Sequence, residues 1–251
     1  MSDNPLYKRT INRHVIPSRH LPEGERAIRV YLPPGYQAWI SYPVVYCQDG
    51  EDFFNFGRIA THAQRLILEE GWEPFVIVGV EVDKSKRTSE YAPDGNRNAA
   101  YMKFFAEEMI SWVESNYPVR DEPEQRLLAG DSLGGAVSLS LALAYPALFN
   151  RIVSLSGAFY DTYIEQIEAE GSLDRLKLWM VVGLQETAYE TDRGVYDFVA
   201  LNREAVEILK ARGAKLVYEE KDGEHKWGFW QQQLPEALAV FLGPTPSSFA
   251  D

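Results

Sequence analysis

The chain is poor in several things at once. It has a single cysteine, Cys47, among 251 residues, which excludes an internal disulfide framework and any site built on clustered thiolates. No apolar run approaches the ~18 residues of a membrane span. The opening Met1-Ser2-Asp3-Asn4-Pro5 lacks the apolar stretch of a secretory signal. A cytoplasmic protein with no membrane partner is therefore expected. Basic residues are scarce relative to acidic ones, 25 against 37, for a formal net charge of −12. A surface of that sign repels a phosphate backbone, so nucleic acid is not expected as a partner. There is no P-loop, no dinucleotide fingerprint and no His-x-x-x-His pair, and the acidic run Asp49, Glu51, Asp52 departs from calcium-loop spacing. No metal and no cofactor are implied. Internal repeats and low-complexity tracts are also missing.

What remains is an ordinary globular mix, 45% hydrophobic and 25% charged. It suits one domain over 1–251, with a core from about 25 to 243, a short N-terminal strand segment and a C-terminal tail. Arg26-Ala27-Ile28-Arg29-Val30-Tyr31-Leu32 alternates with period two, predicting a strand with one wet face. Residues 42–47 and 74–80 are continuous apolar runs, as strands buried on both faces of a parallel sheet would be. Further short runs fall at 125–130, 151–155, 177–183 and 214–219. Between them lie helical stripes: Ile59, Ala63, Leu66 and Ile67; Tyr101 through Val113; and Val195, Phe198, Val199, Val206 and Leu209 ahead of Gly213. This alternation predicts an α/β fold, a mostly parallel central sheet with helices on both faces in three layers. Two stretches read as loops: 81–98, and 160–176, which has the character of a small lid.

The sharpest motif is Gly130-Asp131-Ser132-Leu133-Gly134. It sits between a buried strand and the buried helical run from Ala136 to Ala144. A serine on such a cramped strand-to-helix turn projects its hydroxyl above the sheet, and the flanking glycines are required because side chains there would collide. A serine hydroxyl needs a base to become a nucleophile. Of the four histidines, His14 and His20 precede the first clear strand, and His62 lies on the apolar side of a helix as a satisfied boundary residue. Only His225 follows the serine, just before the last helix. The carboxylate that orients it must come between them. Glu186, at the end of the strand 177–183, is favoured; Asp192 competes, with Glu190 and Asp197 behind. The oxyanion donors expected are the backbone N–H groups of Leu133 and of Glu51, with Gly50 letting the chain turn the Glu51 amide toward the site.

Taken together, these residues resemble the esterase D and enterochelin esterase-like group of α/β-hydrolases. The resemblance covers roughly residues 28–242. Its pieces are residues 44–50, Arg87-Thr88-Ser89-Glu90-Tyr91, the serine turn with Gly135, residues 153–159, Val182-Gly183-Leu184-Gln185-Glu186 and residues 223–230. It implies an α/β-hydrolase fold and carboxylic-ester hydrolysis, with Ser132 as nucleophile, His225 as base, Glu186 as acid, and Glu51 and Leu133 as oxyanion donors. The group more often has Asp where Glu186 stands. The expected substrate is a small-molecule ester, such as a siderophore lactone or an acyl or aryl ester. Acyl transfer to an alcohol, or a catalytically idle binding protein of the same fold, are the rival readings. Phe53, Tyr91, Phe159 and Trp227 are candidate pocket aromatics, and Arg87 and Arg97 candidate partners for an anionic ligand.

Overall fold

The computed structural model describes residues 8–244, so the opening segment Met1–Pro5 and the end of the C-terminal tail lie outside the described residues. The strands of the main sheet are β1 (Thr10–Pro17), β2 (Glu25–Leu32), β3 (Val44–Cys47), β4 (Val76–Val80), β5 (Arg126–Asp131), β6 (Arg151–Leu155), β7 (Lys177–Gly183) and β10 (Lys215–Lys221). They lie in the order β1-β2-β4-β3-β5-β6-β7-β10. β1 and β2 run antiparallel at one edge, β2 is antiparallel to β4, and every pairing from β4 to β10 is parallel.

The period-two pattern assigns each strand residue to one of two cores. Val44, Tyr46, Leu128, Leu178 and Met180 face one layer, while Val45, Cys47, Leu127, Ala129 and Trp179 face the other. The first layer is covered by α4 (Asn98–Lys103), a π-helical turn (Phe104–Met109), α5 (Ile110–Asn116), α6 (Leu133–Ala144), α7 (Asp161–Ala169) and α8 (Phe198–Ala211). The second is covered by α2 (Ile59–Glu70) and α9 (Trp227–Leu242). This is the expected three-layer α/β architecture. Cys47 is fully buried in the second layer, where burial, and then the Asp131 charge, push its thiol well above the usual range.

Four expectations change. β2 has no wet face, because Arg26, Arg29 and Tyr31 are all buried, the two arginines in ion pairs with Glu90 and Glu81. The stripe through Val195 is not one helix. Tyr189–Thr191 (β8) and Gly194–Tyr196 (β9) form a separate hairpin, Val195 is exposed, and the helix starts at Phe198. Asp197 fixes that start, its carboxylate accepting the Ala200 N–H at 2.9 Å. The stretch 160–176 is not a lid, because Tyr163, Ile164 and Ile167 of α7 are buried in the core. The loop 81–98 contains α3 (Arg87–Tyr91) and is pinned by a buried ion pair, Arg26 to Glu90 at 2.7 and 2.9 Å.

Candidate active site

The carboxyl ends of β3, β5, β6, β7 and β10 open on the same edge of the sheet, where ligands of parallel sheets bind. Ser132 follows β5 with φ 52° and ψ −123°, a conformation that L side chains rarely adopt. The flanking glycines are sterically required: a Cβ on Gly130 would come within 2.1 Å of the Gly134 backbone. One on Gly135 would lie 2.6 Å from Ser154 Oγ. The serine hydroxyl is thus lifted off the sheet at the N-terminus of α6.

His225, in the loop between β10 and α9, places Nε2 3.0 Å from Ser132 Oγ and Nδ1 2.7 Å from Glu186 Oε2. Glu186 is 1% exposed and its second oxygen is fully engaged. Oε1 accepts the Gly183 N–H at 2.8 Å and the Ser156 hydroxyl at 2.7 Å. The Trp230 indole N–H donates to Ser156 Oγ at 2.8 Å, which turns the serine proton toward the carboxylate. Rings of Phe198, Tyr189 and Trp230 box the imidazole at centroid distances of 4.1, 4.3 and 4.8 Å. Ser156, itself at φ 49°, and Trp230 were not singled out by chain order alone, although the motif segments 153–159 and 223–230 contain them.

Asp192 is not beside the imidazole. It sits at the tip of the β8–β9 hairpin and accepts the Thr88 hydroxyl at 2.6 Å. Asp197 is a helix cap and Glu190 is exposed on β8. The remaining histidines are elsewhere: His14 lies 2.6 Å from the Tyr117 hydroxyl and His20 3.0 Å from Glu107. His62 is not satisfied as expected, since its Nε2 is buried on α2 without a hydrogen-bond partner.

On the β3 side, the turn residue is Asp49 (φ 49°) rather than Gly50. Gly50 is needed for a close approach, because a Cβ there would fall 2.3 Å from the Gly79 carbonyl carbon of β4. Glu51 stands in the first turn of α1 (Gly50–Asn55), where its N–H has no intrahelical carbonyl to bond. Its carboxylate turns away to Arg29 at 3.0 Å. Leu133 and Asp52 border the cavity described below, whereas Glu51 does not.

Arg87 and Arg97 are not free for an anionic ligand. Arg97 pairs with Glu90 at 3.1 Å and with Glu23. Arg87 grips Asp49 with two bonds of 2.8 Å and donates to the Asp131 carbonyl at 3.1 Å, joining the turn before α1 to the serine turn. Burial alone would raise the Asp49 carboxyl, but Arg87 and Lys84 outweigh it and hold it below the usual carboxylate range. Asp131 fares differently: burial, then the charge of Asp49, push it up to about 7. In an unfolded chain the same carboxyl titrates near ~4. Between those values the folded state holds the extra proton, so this contribution to stability is complete in acid and is lost as the pH rises through about 7. Asp131→Asn, neutral throughout, is expected to melt higher relative to the parent at about pH 8 than at about pH 5. Thermal melts showing the same difference at both values would contradict this.

Above Ser132 lies an open cavity of about 540 Å³. Its aromatic walls are Tyr160, Tyr189, Trp227 and Trp230, and its polar wall includes Lys84, Arg87, Thr88 and Asp192. Of the expected pocket aromatics only Trp227 lines it; Phe53, Tyr91 and Phe159 are fully buried in the core. Among the described residues no cluster of potential metal ligands occurs and no helix is long and apolar enough to cross a membrane.

The comparisons with known proteins agree with this architecture. The family model described as "Putative esterase" matches residues 18–241. A relative from Bacillus subtilis (strain 168), named "Uncharacterized protein YjcH", is 34% identical over 227 residues, spanning 90% of this chain and 94% of its own length. Among solved structures, a ferulic acid esterase superposes with a TM-score of 0.80 at 17% identity, covering 94% of this chain and 99% of that one. An enterobactin esterase from Shigella flexneri superposes with a TM-score of 0.77 at 18% identity, covering 92% of this chain but 59% of that one. The fold is that of the α/β-hydrolases, and the chain belongs to the esterase family, whose membership supports ester hydrolysis as its chemistry.

Proposed function

We propose that the protein is a serine esterase that works through an acyl-enzyme on a small-molecule ester. The observation that carries this reading is the continuous relay from Glu186 through His225 to Ser132, at 2.7 and 3.0 Å. A carboxylate can only accept, so it draws the proton onto Nδ1 and leaves the Nε2 lone pair facing the serine hydroxyl. His225 then takes the serine proton as Oγ attacks the ester carbonyl, and Glu186 stabilises the imidazolium that forms. The Leu133 N–H, which borders the cavity at the N-terminal end of α6, holds the developing oxyanion, and the first-turn N–H of Glu51, whose side chain is turned out of the cavity to Arg29, serves as the second donor. His225 returns the proton to the departing alkoxide, and a water activated by the same imidazole releases the acid.

The four aromatic rings around the cavity, and the names of the ferulic acid and enterobactin esterases that share the fold, favour esters carrying an aromatic group. A fluorophosphonate probe is expected to label the chain once, on the peptide containing Ser132. A panel running from acetyl to long acyl, with feruloyl and siderophore-lactone members, then reads the substrate class. Absence of labelling together with no turnover across the panel would refute the reading.

A further inference from the structure

The β8–β9 hairpin supplies no proton donor or acceptor to the relay and touches it only through Tyr189 at its start, whose ring packs on the His225 imidazole at 4.3 Å; it also forms one wall of the cavity through Tyr189, Glu190, Thr191 and Asp192. The facing wall is α3, through Arg87 and Thr88. Among the described residues, β8 and β9 pair only with each other and with no strand of the main sheet. The hairpin is anchored at its base, where Phe198 N–H donates to the Glu186 carbonyl at 2.9 Å and Tyr196 packs on Tyr160 at 4.5 Å.

Its tip reaches across to the α3 side by side chains alone. Thr88 Oγ1 donates to Asp192 Oδ2 at 2.6 Å. Just outside the cavity, Arg193 forms a two-pronged ion pair with Asp94, one prong at 2.9 Å, while its guanidinium lies 5.6 Å from the centre of the Tyr160 ring. Both members of that pair are partly exposed, 27% and 45%. Such pairs hold weakly and are screened by salt. The hairpin wall is thus held toward the α3 wall by contacts that are specific but easily broken.

We propose that the Arg193–Asp94 pair, with the Thr88–Asp192 bond, is a clasp that sets the size of ester admitted to Ser132. The inference rests on the serine-esterase reading and names the residues that would determine its selectivity. With the clasp shut, the space between hairpin and α3 is fixed. With it open, the tip around Asp192 and Arg193 swings outward while Tyr189 keeps its place against His225 and Phe198, and the cavity widens on that side. Arg193 and Asp94 do not line the cavity, so a small ester is indifferent to them.

The test compares kcat/KM for p-nitrophenyl acetate and for a bulky p-nitrophenyl naphthoate in the parent, Arg193→Ala, Asp94→Ala, the double alanine variant and the charge swap Arg193→Asp with Asp94→Arg. Each single variant is expected to raise the naphthoate-to-acetate ratio about fivefold, the scale of one partly exposed ion pair. The double variant should gain no more than either single, because both remove the same pair. The swap is expected to return the ratio toward the parent value. Equal shifts on both esters, an unchanged ratio, or a swap that behaves like the singles would overturn the clasp. Hydrogen exchange of the 189–196 amides separates the two readings. If acetate turnover is absent altogether the esterase reading fails, whereas unchanged exchange in Arg193→Ala overturns the clasp whatever the activity.

Discussion

Ser132→Ala is expected to lower kcat/KM on any accepted ester by about 10⁴-fold or more, the usual consequence of deleting the nucleophile of such a relay. The fold should persist, since the hydroxyl makes no contact beyond His225 that α6 or β5 depends on. The backbone offers a second readout. Ser132 is held at φ 52° and ψ −123°, a region that costs about 1–3 kcal/mol for a residue with a side chain and little for glycine. Ser132→Gly is therefore expected to be as inactive as the alanine variant yet to melt at a higher temperature than the parent. Full turnover in either variant would end the proposed mechanism; a lower melting temperature for the glycine variant would show that the turn is not strained.

The second large effect belongs to Glu186. In Glu186→Gln the Gly183 N–H and the Ser156 hydroxyl still demand an acceptor at the position of Oε1, where they now donate at 2.8 and 2.7 Å. The amide oxygen satisfies them only by turning its NH₂ group toward His225 Nδ1. That forces the imidazole proton onto Nε2 and removes the lone pair that faces Ser132. A loss in kcat of about 10³–10⁴-fold follows, because the tautomer is wrong even though the geometry is intact. Asp192→Asn, remote from the imidazole, is expected to stay within about threefold on p-nitrophenyl acetate. If the two variants exchange these phenotypes, the acid has been assigned to the wrong residue.

Much of this was legible from residue order. The strand-turn-helix around Ser132 is a local signal, since the glycines and the flanking apolar runs all lie within a few residues of each other. His225 followed from enumeration, because no other histidine lies beyond the serine. The acid was harder. Glu186, Glu190, Asp192 and Asp197 occupy one short stretch, and what separates them is burial plus the donors brought by Gly183 and Ser156, which chain order does not display. The hairpin was misread for a related reason. Val195 keeps helical spacing with Phe198 and Val199, and only the Asp197 cap and the turn at Arg193 show that the spacing is accidental. Long-range pairing hid the rest. Nothing near Arg87 in sequence announces that it holds Asp49 and the Asp131 carbonyl, and nothing near Phe159 distinguishes it, buried, from Tyr160 on the cavity wall.

The burial of Cys47 has a practical side. Thiol-directed dyes require both contact with sulfur and its ionised form, and the native molecule denies them both. Background staining should therefore be negligible, so a cysteine introduced at the exposed Val195 would be the lone target for a fluorophore. Hairpin excursions could then be followed by emission in a chain that needs no prior removal of its native thiol.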